Sequence, residues 1–434
     1  MSDLRRQDSA LSADGSVHPA PVPLRSDAGA HTDAHTDAET DADTDADTVG
    51  RLGEDRVLSA LREVIDAHNR EALRAEAATQ SRAAGDAAVG PMPVGPGDDA
   101  AVLQLADHRL VATTDTMSEG QDFRHRWWSD PAQEARSVGV KAAAQNLSDL
   151  SGMGARPTAL LVSLTLPPST AVSWAVGVME GISEAASVAG AAGCLIAGGD
   201  LGSGETVSVT ITALGRPAGA TSLLRDGARP GDQLAVCGAL GHAAAGLRLL
   251  ESGLQAPEPT EGLGDGMLEA CLSAQTCPAP DLTAGPRATA AGATAGMDVS
   301  DGLLRDAARL ARASDVALLL DTHALREQAA ALEGIADRLR PRTGQDVQEV
   351  PETQEAHPAP SSGALSEVAM TALRLVLHGG EDYALLATFP GGSPLPAGFR
   401  RIGEVRRHDG APGVITGGTV ERLVDEGWDS LRES

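Results

Sequence analysis

The sequence predicts a mixed α/β or α+β protein of two domains, and three observations carry that prediction. A chain of 434 residues with 42% apolar side chains is long enough for two ordinary cores. From about residue 51 onward, short apolar runs alternate with helical patterns, as expected of sheets covered by helices. The first such series closes near Pro217, and a second with the same grammar follows it.

Residues 1–50 carry 11 acidic and 3 basic side chains, almost no large apolar ones, and a Thr-Asp-Ala repeat from His31 to Thr48. Such a segment cannot bury enough apolar surface to offset the entropy of ordering it, so a disordered acidic tail is expected. Beyond it, Val57, Leu58, Leu61, Val64 and Ile65 recur at helical spacing, which predicts a helix from about Arg51 to Ala77. Strands follow at 100–105, 109–113, 160–166, 194–197 and 207–214, with helices at 131–150 and 171–192. These make an N-terminal domain of residues 51–217. The C-terminal domain, 218–434, has expected strands at 233–237, 316–320, 373–377, 383–389 and 400–405, and helices at 242–251 and 301–313. Stretches at about 255–295 and 341–365 are rich in Pro, Gly, Thr and Ala without clear periodicity, and they read as surface insertions.

Charge narrows the function. With 61 acidic and 34 basic side chains, the formal charge is −27, which argues against a nucleic-acid partner, since phosphate-backbone binding needs clustered Lys and Arg. The longest apolar runs, such as Ala159 to Leu166, fall well short of the ~20 residues a membrane-spanning helix needs. The N-terminus has no apolar signal core, so a soluble cytoplasmic protein without membrane segments is expected. Cysteines 194, 237, 271 and 277 show no CxxC spacing for zinc or a redox dithiol.

Six clusters of aspartate with small residues punctuate the expected element ends. They are Gly95-Pro96-Gly97-Asp98-Asp99, Thr113-Thr114-Asp115-Thr116, Asn146-Leu147-Ser148-Asp149, Gly198-Gly199-Asp200, Asp298-Val299-Ser300-Asp301-Gly302 and Gly379-Gly380-Glu381-Asp382. Any one of them is ordinary turn or capping chemistry, and Ser300 in particular suits an N-cap for a helix starting at Asp301. Together they suggest more. Carboxylates beside hydroxyls suit Mg²⁺, which takes oxygen ligands and bridges carboxylates to phosphates, while glycines let backbone N–H groups approach those phosphates. The pattern points to phosphoryl transfer built on several metal ions. A Walker A loop is excluded, because the only lysine of the chain, Lys141, lies in Val140-Lys141-Ala142 without a glycine-rich approach.

These motifs, in this order, resemble the thiamine-monophosphate kinase family, from Gly-Asp-Asp-Ala-Ala at 97–101 through Asn-Leu-Ser-Asp-Leu-Ser-Gly-Met-Gly-Ala at 146–155 to Gly-Gly-Glu-Asp-Tyr at 379–383. The resemblance covers about Leu52 to Leu431. It implies the fold of the aminoimidazole-ribonucleotide synthetase superfamily, with an N-terminal α/β domain that forms a homodimer and a C-terminal α+β domain that closes over ATP. The implied reaction is ATP-dependent phosphorylation of thiamine monophosphate to thiamine diphosphate, by direct transfer. By the same resemblance, Asp98, Thr113, Thr114, Asp115, Asp149, Asp200, Asp298 and Asp301 would hold several Mg²⁺ ions. Gly199, Asp200 and Ser300 would lie beside the nucleotide, and Arg225 would contact its phosphates. Glu381 and Trp428 match thiamine-binding positions, and Trp428 offers a flat face to a cationic or aromatic ring.

Two features stand out against the family pattern. Where the family has a histidine two residues after a loop glycine, this chain has Asp122 after Gly120, at a position that would meet the substrate. Lys141 falls where the family has lysine, and its offset of eight from Asp149 puts both on similar faces of one helix, so it is expected to pair with the carboxylates or a phosphate. Two alternatives stay open at this level: another ATP-using synthetase of the superfamily, and a non-catalytic nucleotide- or metal-binding paralogue. Against specific relatives, the chain has no cysteine before Cys194, as selenophosphate synthetase would require, and it ends Leu431-Arg432-Glu433-Ser434, without the terminal cysteine of the hydrogenase-maturation relative.

Overall fold

The structure is a computed structural model. It describes residues 47–80, 92, 95–96, 100–101, 103–104, 109–256, 266–340 and 365–416. The acidic tail up to residue 46, Asp98, most of the 341–365 stretch and Trp428 lie outside the described residues.

Two helices, α1 (Val49–Leu52) and α2 (Glu54–Gln80), open the described chain. They lead to a four-stranded sheet of β1 (Val111–Ser118), β2 (Ala155–Leu166), β3 (Leu195–Ser203) and β4 (Ser208–Pro217), in the order β1-β4-β2-β3. β2 and β3 are parallel, and the other pairs are antiparallel. Helices α3 (Pro131–Gly152) and α4 (Val172–Ala185) cover one face, where Val138, Leu147, Leu160, Val162, Leu164 and Ile211 share a core. Proline at the first helical position and Asp130, whose carboxylate accepts the Ala132 N–H at 3.0 Å, start α3. The two helices touch at their backbones: a Cβ on Gly139 would stand 2.0 Å from Val178 O, and one on Gly181 would stand 2.1 Å from Arg136 O. The opposite face is covered in part, where Ala72, Met92, Ala101 and Leu103 pack with Ala159, Leu195, Ala197 and Leu214; its remainder, lined by Thr114, Thr116, Thr210, Thr212 and the 39%-exposed Leu161, is covered by no element among the described residues.

A six-stranded sheet follows, ordered β10-β7-β9-β5-β8-β6 and antiparallel except at β10–β7. Its strands are β5 (Gln233–Cys237), β6 (Ala295–Val299), β7 (Ala317–Leu320), β8 (Ala384–Phe389), β9 (Phe399–Arg406) and β10 (Gly413–Thr416). The helices are α5 (His242–Glu251), α6 (Met267–Thr276), α7 (Ala284–Ala290), α8 (Leu303–Ser314), α9 (Thr322–Ala330), α10 (Glu333–Arg338) and α11 (Glu367–His378). No helix among the described residues is long and apolar enough to cross a membrane.

Several expected elements differ. The run at 373–377 is not a strand but the last part of α11, because Ser366 caps the helix by accepting the Ala369 N–H at 3.1 Å, and the run supplies its buried face. A short apolar run does not by itself separate strand from buried helix. The 255–295 stretch contains α6 and α7 and reaches the first residue of β6, with Cys271, Leu272, Leu282, Ala284 and Ala288 buried. Its periodicity is hidden because alanine and glycine serve both buried and exposed positions there. No strand forms at 100–105 among the described residues, and α4 stops at Ala185 rather than running to 192. Ser300 makes no cap: α8 begins at Leu303 after Gly302, with no side-chain capping bond.

Candidate active site

The site begins where β1 meets α3. Thr113 and Asp115 alternate onto the helix-covered face of β1, while Asn146 and Asp149, three residues apart on α3, face them. Thr113 Oγ1 donates to Asp149 Oδ2 at 2.6 Å, and the Asp115 N–H donates to Asn146 Oδ1 at 3.0 Å. The C-terminal turns of α3 then run against β6, where Ser148 Oγ donates to Asp298 Oδ2 at 3.3 Å. The crossing is close: a Cβ on Gly152 would lie 3.1 Å from the Asp298 backbone nitrogen. Asp115, Asp149 and Asp298, far apart in sequence, therefore face one another.

Their electrostatics show a deficit of positive charge. Burial, reinforced by Asp149 and Asp306, pushes Asp298 up to about 8. Burial also raises Asp115 to about 6, with Asp149, Asp122 and Asp301 adding to the effect. Asp149 is raised by burial against the opposing pull of the Thr113 bond and the Arg225 charge. Among the described residues, no group of three or more His, Cys, Asp or Glu side chains closes into a metal cage. An all-oxygen set short of cations suits Mg²⁺ shared between one or two carboxylates and a substrate's phosphates, which is how that ion is commonly held.

The facing wall is the 379–383 turn packed on the 298–302 loop. Gly302 has φ +113° and would carry a Cβ 2.6 Å from His378 O, and a Cβ on Gly380 would lie 2.6 Å from Ser300 O. Glu381 and Tyr383 have φ +63° and +51°, conformations that cost a non-glycine residue roughly 1–3 kcal/mol and persist where the surroundings dictate them. Here they are dictated: the Glu381 N–H donates to Ser300 O at 2.8 Å, and the Tyr383 N–H donates to Val299 O at 3.1 Å. Asp382 between them accepts from the Gly241 and Ala243 N–H groups at the start of α5, and burial pushes it up to about 7.

The Glu381 side chain is held at both oxygens. Lys141 Nζ lies 2.9 Å from Oε1, and Gln275 Nε2 donates to Oε2 at 2.7 Å. Lys141 also donates to the Asp122 carbonyl oxygen at 3.0 Å. The Asp122 carboxylate accepts the Ser118 N–H at 2.7 Å, and it is raised by burial and by Glu381. Asp301 sits 2.5 Å from Arg309 Nη2, and Arg309 also holds Asp306 at 2.7 Å.

These walls enclose an open cleft of about 640 Å³, lined among others by Asp115, Asp122, Asp149, Asp298, Asp301 and Glu381. Ser300 lines it too, as do Arg248 of α5 and Arg374 of α11, both exposed and without an ion-pair partner among the described residues. A smaller hollow of about 240 Å³ shares Asp149 and Asp298 with the cleft and has Arg225 and Thr113 in its wall. The carboxylate set thus stands at the junction of the two.

Most of the residues singled out in the sequence come together here, and three do not. The Thr114 hydroxyl points to the threonine-rich side of the sheet, donating to Ile211 O at 3.1 Å, because alternation along β1 turns it away from Thr113. Gly199 and Asp200 lie within β3, on the edge opposite β1. Asp200 is exposed, in line with Ser163, Thr210 and Thr116 on the threonine-rich side of the sheet, away from Asp115, Asp149 and Asp298 of the same chain. Asp98 and Trp428 lie outside the described residues. Gln275 and Arg309 carried no sequence signal, the first because its helix was hidden in a stretch without periodicity.

Comparison with known proteins places this arrangement. The model for the AIR synthase related protein N-terminal domain matches residues 97–216. The thiamine-monophosphate kinase of Mycobacterium tuberculosis (strain H37Rv) is 37% identical over 340 residues, 78% of this chain and 86% of that protein. Among solved structures, the thiamine-monophosphate kinase from Stenotrophomonas maltophilia K279a is 31% identical with a TM-score of 0.56, over 80% of this chain and 96% of that one. AaThiL complexed with AMPPCP and TMP is 27% identical with a TM-score of 0.55, over 76% and 90%.

Proposed function

The chain belongs to the thiamine-monophosphate kinase family, and from that premise we propose that it transfers the γ-phosphoryl group of ATP directly to thiamine monophosphate, forming thiamine diphosphate and ADP. The observation that carries the proposal is the Asp115, Asp149 and Asp298 set at the junction of two hollows, with Arg225 on one side and the clamped Glu381 on the other. Two phosphate-bearing substrates meeting end to end would place their reacting phosphates at that junction. A relative solved with AMPPCP and TMP together supports the same pairing.

In the reaction, an oxygen of the acceptor's phosphate bonds to the γ-phosphorus while the bond to the bridging oxygen of the β-phosphate breaks, and ADP leaves with that electron pair. The attacking oxygen is already anionic near neutral pH, because the second proton of a phosphate monoester is lost near pH ~6. No residue has to remove a proton. The protein's work is positioning and charge neutralisation. Arg225 faces the donor's phosphates and Ser300 lies beside the nucleotide, while Glu381 and Asp122 face the acceptor, whose thiazolium is cationic. Thr113, Asp115, Asp149, Asp298 and Asp301 would hold Mg²⁺, which when bound offsets the charge of the facing phosphates. On the resemblance alone, Asp98 joins that set and Trp428 stacks on the thiamine.

We assign residues 51–217 and 218–434 as two domains, and the exposed threonine-rich part of the first sheet's second face as the surface through which two copies form a homodimer. Thr114 and Asp200 lie on that face. The cytoplasm, with its ATP and Mg²⁺, is the proposed compartment. The test is coupled ADP release with ATP, Mg²⁺ and thiamine monophosphate, followed by identification of the product. Thiamine diphosphate formed from the monophosphate and not from thiamine is the expected result, and ATP binding without turnover would overturn it.

A further inference from the structure

We infer that Lys141 is a positioning residue for the acceptor: with Gln275 it clamps Glu381 at the substrate end of the cleft and ties that carboxylate to the loop carrying Asp122. The inference rests on the proposed role of Glu381.

Lys141 is the only lysine of the chain and is 2% exposed, a rare placement for a flexible, strongly hydrated ammonium. A buried lysine needs acceptors, and it has two. One is Glu381 Oε1 at 2.9 Å, and the other is the backbone carbonyl of Asp122 at 3.0 Å. The contacts belong to different parts of the molecule, since Lys141 is on α3, Asp122 on the loop after β1, and Glu381 in the turn before β8. Gln275, 1% exposed on α6, fixes the other Glu381 oxygen at 2.7 Å. The carboxylate, itself on a left-handed backbone, therefore has neither oxygen free to swing while its edge faces the cleft.

The consequence is specific. No hydrogen bond or ion pair among the described residues joins Arg225, Asp149 or Asp298 to this clamp, so loosening it should spoil recognition of the acceptor and leave the nucleotide untouched. The charge on Lys141 also offsets Glu381 in a cleft that must admit an anionic phosphate past six carboxylates.

The test is steady-state kinetics of the full chain with each substrate varied in turn, for Lys141→Met, Gln275→Leu, Glu381→Ala and the Lys141→Met/Glu381→Ala pair. Lys141→Met should raise KM for thiamine monophosphate at least tenfold, with KM for ATP within twofold of wild type. Gln275→Leu should shift the same constant in the same direction, and it stands in for Lys141→Met if that variant fails to fold. In the double variant KM should stay within twofold of Glu381→Ala alone, because the lysine has lost the group it positions. Additive losses in the double variant, equal changes in both KM values, or a lowered Tm with unchanged kinetics would each overturn the inference. Wild-type protein that forms no thiamine diphosphate would refute the proposed function itself, a result distinguishable from active wild type with unaffected variants.

Discussion

Thr113 Oγ1 donates a 2.6 Å hydrogen bond to Asp149 Oδ2, joining the first strand of one sheet to the helix that reaches the other. This bond opposes the burial that raises Asp149 and aims the carboxylate at the junction of the two hollows. A hydrogen bond to a charged group is worth about 1.5–3 kcal/mol. Thr113→Val should therefore lower kcat/KM roughly 10- to 100-fold by that figure and raise the Mg²⁺ concentration needed for half-maximal rate. Thr113→Ser, which keeps the donor, should stay near wild type. A Val variant with an unchanged Mg²⁺ requirement would show that Asp149 needs no such partner.

Asp298 links the site to stability. Its folded-state carboxyl sits at about 8 against an ordinary 3.8, so the folded state binds the proton more tightly than the unfolded one. The stability this contributes is fully present below about pH 4 and is lost as pH rises through about 8. Asp115, raised to about 6, adds in the same sense. In the presence of a chelator, wild-type Tm should fall across this window through these groups. Asp298→Asn removes the buried charge, can still accept the Ser148 bond, and should melt several degrees higher than wild type at pH 8.5 while being inactive. Thermal melts at pH 5 and 8.5 check this, and equal Tm differences at the two values would contradict it.

The sequence spoke most clearly where chemistry is concentrated in short motifs. Thr113 to Asp115, Asn146 to Asp149, Asp298 to Asp301 and Glu381 could be picked out because each cluster sets carboxylates beside hydroxyls, amides or glycines within a few residues, and because six such clusters recur in one chain. It spoke least clearly where packing decides. Alanine-rich α6 and α7 show no contrast between inner and outer faces, so Gln275 could not be seen as a partner of Glu381. Alternation along β1 separates Thr114 from Thr113, and only the register β1-β4-β2-β3 reveals that Asp200 stands at the far edge. The lysine was conspicuous as the chain's single one, yet its acceptors, 19 residues before it and 240 after it, are visible only in the fold.

Arg248 and Arg374 are cations on the cleft wall without an acidic partner among the described residues, in a protein of charge −27. Being exposed, they act through solvent, attracting anionic substrates against the repulsion of the whole chain. Replacing both by alanine should raise KM for the phosphorylated substrates several-fold at low ionic strength. The effect should fade near 0.5 M salt, where the screening length shrinks to about 4 Å. Kinetics at two salt concentrations test this, and a salt-independent loss would mean that they contact substrate directly.

Gly380 sets how closely the turn bearing Glu381 can lie on the loop bearing Ser300. A methyl group there would stand 2.6 Å from Ser300 O and 3.4 Å from the Asp301 backbone, atoms that cannot move aside without shifting the loop between Asp298 and α8. The Glu381 N–H bond to Ser300 O would be stretched, and the clamped carboxylate displaced with it. Overpacking of this kind costs about 1–3 kcal/mol of stability. Gly380→Ala should lower Tm accordingly and reduce kcat/KM at least tenfold, since Ser300 and Glu381 face the two substrates. Gly334→Ala is the matched control: it lies in α10 with nothing within 4 Å of the added Cβ, so it should leave activity unchanged and Tm equal or slightly higher. Wild-type kinetics in Gly380→Ala would show that the two loops move independently and that their close approach is not needed for catalysis.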